Sequence, residues 1–346
     1  MAEGVVPQVL AMKVGLIGAG RIGQIHGRNL ATQLPGVQLA AVADLDLAAA
    51  RSVAERYGVP LVTRDPNELL QTAELVAVAI CSSTDTHAAL IEQAAAAGKH
   101  IFCEKPIDFD LARIDRALAA VEQAGVKLQI GFNRRFDPSY RKVRDLVREG
   151  RIGEPHLLRI TSRDPGPPPL EYLKTSGGIF LDMTIHDFDM ARFLIGSEVE
   201  ELYAAAAVRV DPQIGEIGDL DTALITLKFA NGVIGTIDNS RKAAYGYDQR
   251  AEVFGSKGMA ATGNETPDRH SLADGTGVHG PLPLHFFLER YQTAYLEELR
   301  SFVECLRSDR PPEVGGADGR VPVVMGLAAQ RSYRENRPVR LSEIEA

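Results

Sequence analysis

The stretch Lys13-Val14-Gly15-Leu16-Ile17-Gly18-Ala19-Gly20-Arg21-Ile22-Gly23 decides the fold. Lys13 to Ile17 is a short apolar run, the glycines follow at once, and the residues after Gly23 can form a helix. Glycines at this spacing occur by chance, but between a strand and a helix each has a task. Gly18 permits a tight turn, Gly20 lets the backbone approach a pyrophosphate, and Gly23 lets the helix pack closely on the strand. The helix N-terminus then offers N–H groups and a positive dipole end to phosphates. The competing reading is an ordinary strand-to-helix turn. Asp44 lies 21 residues beyond Gly23, at the end of the next apolar run, Val37 to Ala43. A carboxylate there can accept hydrogen bonds from both adenine-ribose hydroxyls and would repel a 2′-phosphate, which favours NAD over NADP. Arg51, a turn or two on, leaves NADP open, and Asp44 can equally serve as a turn or N-cap residue.

The same alternation continues. Leu47 to Tyr57 reads as helix stopped by Gly58, Leu75 to Cys81 as a strand buried on both faces, Thr86 to Ala97 as helix, and His100 to Cys103 as strand. Leu111 to Gln123 then reads as helix and Lys127 to Gly131 as strand. Strands alternating with helices imply a doubly wound parallel sheet, an α/β Rossmann domain over residues 12–132. After about residue 150 the pattern changes. His156 to Arg163, Val199 to Val210, Thr222 to Phe229, Val233 to Ser240 and Arg250 to Phe254 read as strands, some joined by tight turns such as Asn231-Gly232. Residues 133–346 are therefore expected to form an α+β domain with an open, largely antiparallel sheet. Helices are expected at Asp182 to Leu194, His285 to Arg307 and Val321 to Glu335, the last packing back near the first domain.

Composition narrows the class. The 346 residues suffice for two domains, and 45% hydrophobic with 24% charged residues is ordinary for a globular protein. A formal net charge of -8 with no Lys/Arg run argues against nucleic acid. No apolar run reaches bilayer length, and Met1 to Ala11 lacks the features of a secretory signal, so a cytoplasmic protein without membrane contact is expected. Cys81, Cys103 and Cys305 are too widely spaced for a CxxC metal site and odd in number, hence reduced core residues.

Three polar positions stand apart from the core pattern. Glu104-Lys105-Pro106 follows a buried strand, and the proline constrains the lysine before it, which otherwise reads as a solvated loop residue. Asp182 and His186 are spaced i and i+4, sharing one face if their segment is helical. A histidine suits the base that takes a hydroxyl proton while hydride leaves carbon, and Asp182 could orient the ring or stabilise its cation. The alternatives are a histidine satisfying a core helix and a metal site from Asp182, His186 and Asp189, which lacks a credible open ligand set.

With Gly18 to Gly23, Glu104-Lys105-Pro106 and Gly177-Gly178 followed by Asp182 and His186, the whole chain resembles the glucose-fructose oxidoreductase and inositol dehydrogenase family. Gly131 to Asp137 and Ser176 to Asp187 are most similar to its inositol 2-dehydrogenases. The resemblance implies NAD in a cleft between two domains, a small polyol or sugar substrate, and a homo-oligomer, a tetramer or dimer built through exposed sheet faces. It implies His186 as general base, Asp182 as its partner and a substrate contact, and Lys105 as a donor to the developing alkoxide or carbonyl oxygen. Cofactor contacts are expected from Gly18, Gly20, Arg21, Ile22, Gly23, Asp44, Ser82, Thr84, His87, Glu104 and Lys105. Arg135, Arg163 and Tyr245 are candidates for ring hydroxyls, although the best-known inositol enzymes tend to place a histidine near position 163. The expected reaction is oxidation of myo-inositol to its 2-keto form, with other inositols or aldoses as near alternatives. Two further classes stay open: an NAD-requiring glycoside hydrolase and a non-catalytic NAD-responsive regulator. Gly263 to Pro283 matches nothing in the family pattern.

Overall fold

The structure is a computed structural model that describes residues 11–345. Residues 1–10, most of the opening extension expected from sequence, lie outside it. It divides into two compact units, one of residues 11–131 with 295–316, the other of residues 132–294 with 317–345. The second domain expected over residues 133–346 is thus interrupted, because the chain returns to the first unit at Tyr295.

In the first unit, β1 (Met12–Ile17), β2 (Val37–Ala43), β3 (Leu61–Thr63), β4 (Ala77–Ile80), β5 (His100–Glu104) and β6 (Leu128–Gly131) form a parallel sheet in the order β3-β2-β1-β4-β5-β6. This is the doubly wound order with its switch point beside β1, where ligands of such sheets bind at the strand ends. Strand β3 and the short helix Pro66–Leu70 were not legible in the sequence. The helix Leu47–Tyr57 runs to Gly58, whose φ of 69° closes it in the left-handed region.

One core cluster joins Val14, Leu16, Leu39, Val42, Ala79 and Phe102 of the sheet to Leu299, Phe302 and Val303 of the helix Gln292–Arg307. Each large apolar side chain buried there contributes about 1.5–3 kcal/mol. The helix expected to return to the first domain was Val321 to Glu335; that helix, Gly316–Glu335, belongs from residue 317 to the second unit. The segment before it carries the returning apolar stripe.

The second unit contains β7 (Pro155–Arg163), β8 (Val199–Ala207), β9 (Thr222–Phe229), β10 (Ile234–Ser240), β11 (Asp248–Gly255) and β12 (Gly258–Thr262). It also contains a short hairpin of β13 (Leu272–Asp274) and β14 (Gly277–His279), and β15 (Val339–Arg340). The main sheet runs β12-β11-β7-β10-β9-β8-β15, with β7 and β10 its one parallel pair. The hairpin is the structure of the unassigned Gly263 to Pro283 region, and its residues are exposed. Side chains alternate between sheet faces. Leu158, Ile160, Ser162, Ile237 and Asn239 point to the buried face; Leu157, Arg159, Ile234 and Phe254 point to the exposed one.

Candidate active site

In the first unit the glycine turn is built as its residues dictate. Gly18 has φ 97°, and a Cβ there would stand 2.5 Å from the Cys81 carbonyl carbon; one on Gly23 would stand 1.9 Å from Gly18 O. Around Gly20 nothing lies within 4 Å of such an atom, and the residue is exposed. The open side of the turn is therefore kept clear where a phosphate must approach. The helix Arg21–Thr32 starts there with no side-chain cap, leaving first-turn N–H groups for an anion, with Arg21 exposed and Ile22 half-buried. These features fit the pyrophosphate of a dinucleotide.

Asp44 accepts from Ala19 N at 2.6 Å and from Asp46 N at 2.7 Å, so its carboxylate is fixed against the turn while retaining lone pairs for ribose hydroxyls. The N-cap of the following helix is Asp46, which accepts from Ala48 N and Ala49 N; the capping role considered for Asp44 falls to its neighbour. Arg51 is exposed and lines a groove with Asp46, Leu47, Ala48 and Arg64.

Ser82, on the loop after β4, and Thr84, the first residue of the helix Thr84–Ala96, are half-buried, and the Ser82 hydroxyl meets Thr86 Oγ1 at 2.7 Å. His87 and Glu104, both expected among the cofactor contacts, turn their side chains inward. His87 is 1% exposed, with Nδ1 2.8 Å from Pro106 O and Nε2 3.1 Å from Ser82 O. Burial lowers its pKa, with the two carbonyls opposing. It braces two loops, and the Glu104 carboxylate lies 2.7 Å from His26 Nε2. Lys105 follows, half-buried, with a cis peptide bond to Pro106.

In the second unit the segment expected as one helix from Asp182 to Leu194 is two, Gly178–Asp182 and Ile185–Ile195. Thr184 N reaches back to Ile179 O at 2.9 Å, and Thr184 Oγ1 bonds the same carbonyl at 3.2 Å and Asn239 Oδ1 at 2.6 Å. A hydroxyl that competes for backbone groups in this way breaks a helix. Asp182 therefore ends one helix and His186 begins the next, so the shared face of a continuous helix is not how they are placed.

Asp182 accepts from Tyr172 Oη at 2.7 Å and from the buried Arg241 guanidinium at 3.2 Å; Arg241 also reaches Asp219 at 3.5 Å. His186 is half-buried, its ring edge-to-face with Phe132 at 6.1 Å. The backbone around it is pinned on both sides, by Thr184 on Asn239 and by Asp187, which takes 2.6 Å and 2.8 Å hydrogen bonds from Arg134 and Asn239. Burial raises the Asp187 carboxyl pKa, and Arg134 and Asn239 oppose that rise.

Close by, Asp164 is half-buried; burial raises its pKa to about 7, with Arg241 pulling down and Asp182 pushing up. Nothing in the local sequence pattern marked Arg241, Tyr172 or Asp164, since each acts through residues distant in the chain.

The candidate polyol contacts separate. Arg135 is 8% exposed, with Nε and Nη2 on Asp189 and Nη2 also on Asp318. Arg163 lies on the exposed face of the sheet, held by Asp238 and 3.0 Å from Tyr245 Oη, which donates to Asp248 at 2.6 Å. Ser162 and Asn239, which surround the His186 segment, point to the other face. The structure thus pairs Arg163 with Tyr245 but does not bring them onto the face that carries His186. Asp189 is committed to Arg135, which removes it from the metal set considered with Asp182 and His186. Among the described residues, the cluster with metal-ligand spacing is instead His26, Glu104 and Glu298.

Known proteins match both parts of the chain. Residues 12–132 match the oxidoreductase family with an NAD-binding Rossmann fold, and residues 140–261 match the GFO/IDH/MocA C-terminal domain. The chain is 50% identical over 333 residues to a myo-inositol 2-dehydrogenase of Thermotoga maritima, covering 96% of this chain and 99% of that one. It is 47% identical over 334 residues to an inositol 2-dehydrogenase of Rhizobium meliloti, covering 96% of this chain and all of the relative. A crystal structure of scyllo-inositol dehydrogenase from Lactobacillus casei with NAD(H) and scyllo-inositol superimposes with a TM-score of 0.90 at 32% identity, over 96% of this chain and 99% of that one. Two matching family domains in order, on a glycine turn shaped for a dinucleotide, place the chain in the GFO/IDH/MocA family of NAD-binding oxidoreductases.

Proposed function

We propose that this protein oxidises the C2 hydroxyl of myo-inositol to a ketone and releases NADH. The observation that carries the reading is near-half identity, over almost the full length of both chains, to enzymes named for that reaction. When bound, NAD accepts the hydride from the ring carbon. The chain supplies the rest. His186 takes the hydroxyl proton; its Nδ1 is buried, which leaves Nε2 as the nitrogen to meet substrate. Asp182, oriented by Tyr172 and Arg241, contacts the substrate beside it, and Lys105 donates to the oxygen as it becomes a carbonyl.

A second substrate, scyllo-inositol, is favoured by a relative of that specificity at 36% identity. Steady-state NADH formation on myo-inositol, scyllo-inositol, chiro-inositol and glucose separates the two. The expected result is the highest kcat/KM on myo-inositol; a higher value on another polyol would keep the chemistry and change the substrate. An aryl glycoside run beside them should release no phenol, and release without NADH would replace dehydrogenation by hydrolysis.

The protein is also proposed to be a cytoplasmic homo-oligomer. Among the described residues no helix is long and apolar enough to cross a membrane, and all three cysteines are buried thiols. Met259, Phe254, Leu157 and Ile234 stand side by side across four strands of the exposed sheet face, each 39% exposed or more. An apolar row of this kind on one face supports association with a second copy.

A further inference from the structure

The first unit holds an ionisable cluster that the reaction as proposed leaves unused. His26, on the face of the dinucleotide helix turned to the sheet, is 0% exposed; Glu298, on the returning helix, is also 0% exposed, and Glu104 is 8% exposed. His26 Nε2 lies 2.7 Å from Glu104 Oε1 and 3.8 Å from Glu298 Oε1. Neither oxygen of Glu298 has a hydrogen-bond partner, nor does His26 Nδ1. The imidazole is walled by Phe102 at 4.9 Å and Tyr295 at 5.7 Å, both edge-to-face.

Space for the Glu104 carboxylate is reserved by its cross-strand partner. Gly131 is paired with Glu104 in register, and a Cβ there would stand 3.1 Å from the carboxyl carbon. Ionisable groups left uncompensated in such surroundings are destabilising, most of all when a buried pair loses one partner. A cluster kept at that cost invites a functional account.

A metal ion is the obvious alternative, but the geometry opposes it. Ligands at about 2.0–2.1 Å from a tetrahedral ion stand about 3.3 Å apart. Here His26 Nε2 and Glu104 Oε1 are at the separation of a direct charge-assisted hydrogen bond. A proton lies between them. Burial and the neighbouring Glu104 push the pKa of the Glu298 carboxyl up.

We propose that His26, backed by Glu298, is a positioning residue for Lys105: it fixes the Glu104 carboxylate, and through it the residue that follows, so that the Lys105 ammonium is delivered to the reacting oxygen in one place. This rests on the role given to Lys105 above. Glu104 closes β5 and Lys105 is the first residue beyond the strand. The side chain that anchors the strand end thus stands next to the one that leaves it. A displacement of about 1 Å at a reacting group can lower a rate about a hundredfold without touching binding.

The test is the separation of kcat from cofactor affinity in the full-length protein. His26→Phe keeps an aromatic ring, a slightly larger one, and removes the donor. It should lower kcat by about tenfold or more while the Kd for NADH, read by fluorescence titration, stays within about twofold. His26→Gln, whose amide can still donate to Glu104, should restore kcat to within about threefold of wild type, and Glu298→Gln, which keeps the side-chain shape, should do the same.

If His26→Phe does not fold by circular dichroism, Gly131→Ala takes its place, pressing on the Glu104 carboxylate without removing a charge, and the same fall in kcat is expected. Unchanged kcat in the perturbing variant, together with an inactive Lys105→Met, would overturn the positioning role and leave the function standing. An active Lys105→Met would instead overturn the role of Lys105 and the inference with it. Stoichiometric metal in the purified protein that is lost in His26→Phe would also overturn it.

Discussion

At the residue scale, Gly23 and Gly20 of the turn make separate predictions because their surroundings differ. Gly23→Ala drives a Cβ into Gly18 O, and overpacking of this kind costs about 1–3 kcal/mol; a lower melting temperature and lost NADH binding should appear together. Gly20→Ala meets nothing in the protein, so its melting temperature should match wild type while the Kd for NADH rises about tenfold or more. Equal losses of stability in both variants would show that Gly20 is structural. Asp164 yields a pH prediction. Its carboxyl holds a proton up to about pH 7 in the folded state, well above its ordinary value, so the folded state binds more protons than the unfolded one across that window. Stability therefore falls as pH rises through it. Asp164→Asn should match wild type in thermal melts near pH 4 and exceed it near pH 8; a variant no more stable at the higher pH would refute the shift. The residues proposed to react, Lys105, Asp182 and His186, came from the family resemblance; spacing alone placed Asp182 and His186 on one helix, which the break between them does not allow. Their supports, Arg241 on Asp182 and His26 on Glu104, were not legible, since such pairs form only when distant stretches of chain meet.

At the element scale, one strand and one helix with strong local stops were read to the residue. Val37–Ala43 and Leu47–Tyr57 are framed by Asp44, Asp46 and the left-handed Gly58. Strand Leu61–Thr63 was missed because three residues on a sheet edge carry no periodicity, and Pro138–Arg148 because its apolar face is narrow. The misread break at Met183–Thr184 matters more, since it sets where His186 points. Thr184→Val keeps the shape and removes the hydroxyl that bonds Asn239. It leaves a buried amide oxygen short of a donor, at a cost of about 1–3 kcal/mol. Both a lower melting temperature and a kcat reduced more than the KM for NAD is altered are expected; a change in stability alone would mean that the break does not serve His186.

For the whole molecule, composition and alternation identified a parallel α/β unit followed by a largely antiparallel one. The interruption at Tyr295 was invisible, because a helix that changes partners keeps the same 3.6-residue period. Phe302→Ala should show that residues 295–316 belong to the first unit: a core loss of about 3–5 kcal/mol should appear as lost NADH binding and a lower melting temperature. A mild effect on both would place that helix outside the core. The exposed row on the second sheet makes a complementary prediction. Phe254→Lys should lower the mass measured by light scattering to that of a single chain, and an unchanged mass would move the association surface elsewhere.

The central claim is that hydride passes from a ring carbon of an inositol to NAD with His186 as base. The most direct measurement is recovery of the reduced cofactor after incubation with myo-inositol deuterated at C2, for wild type and His186→Ala, followed by mass spectrometry. The account predicts stoichiometric deuterium on the nicotinamide for wild type. It predicts about a hundredfold less product for a variant that still binds NADH. Unlabelled NADH, or full activity without His186, would contradict it.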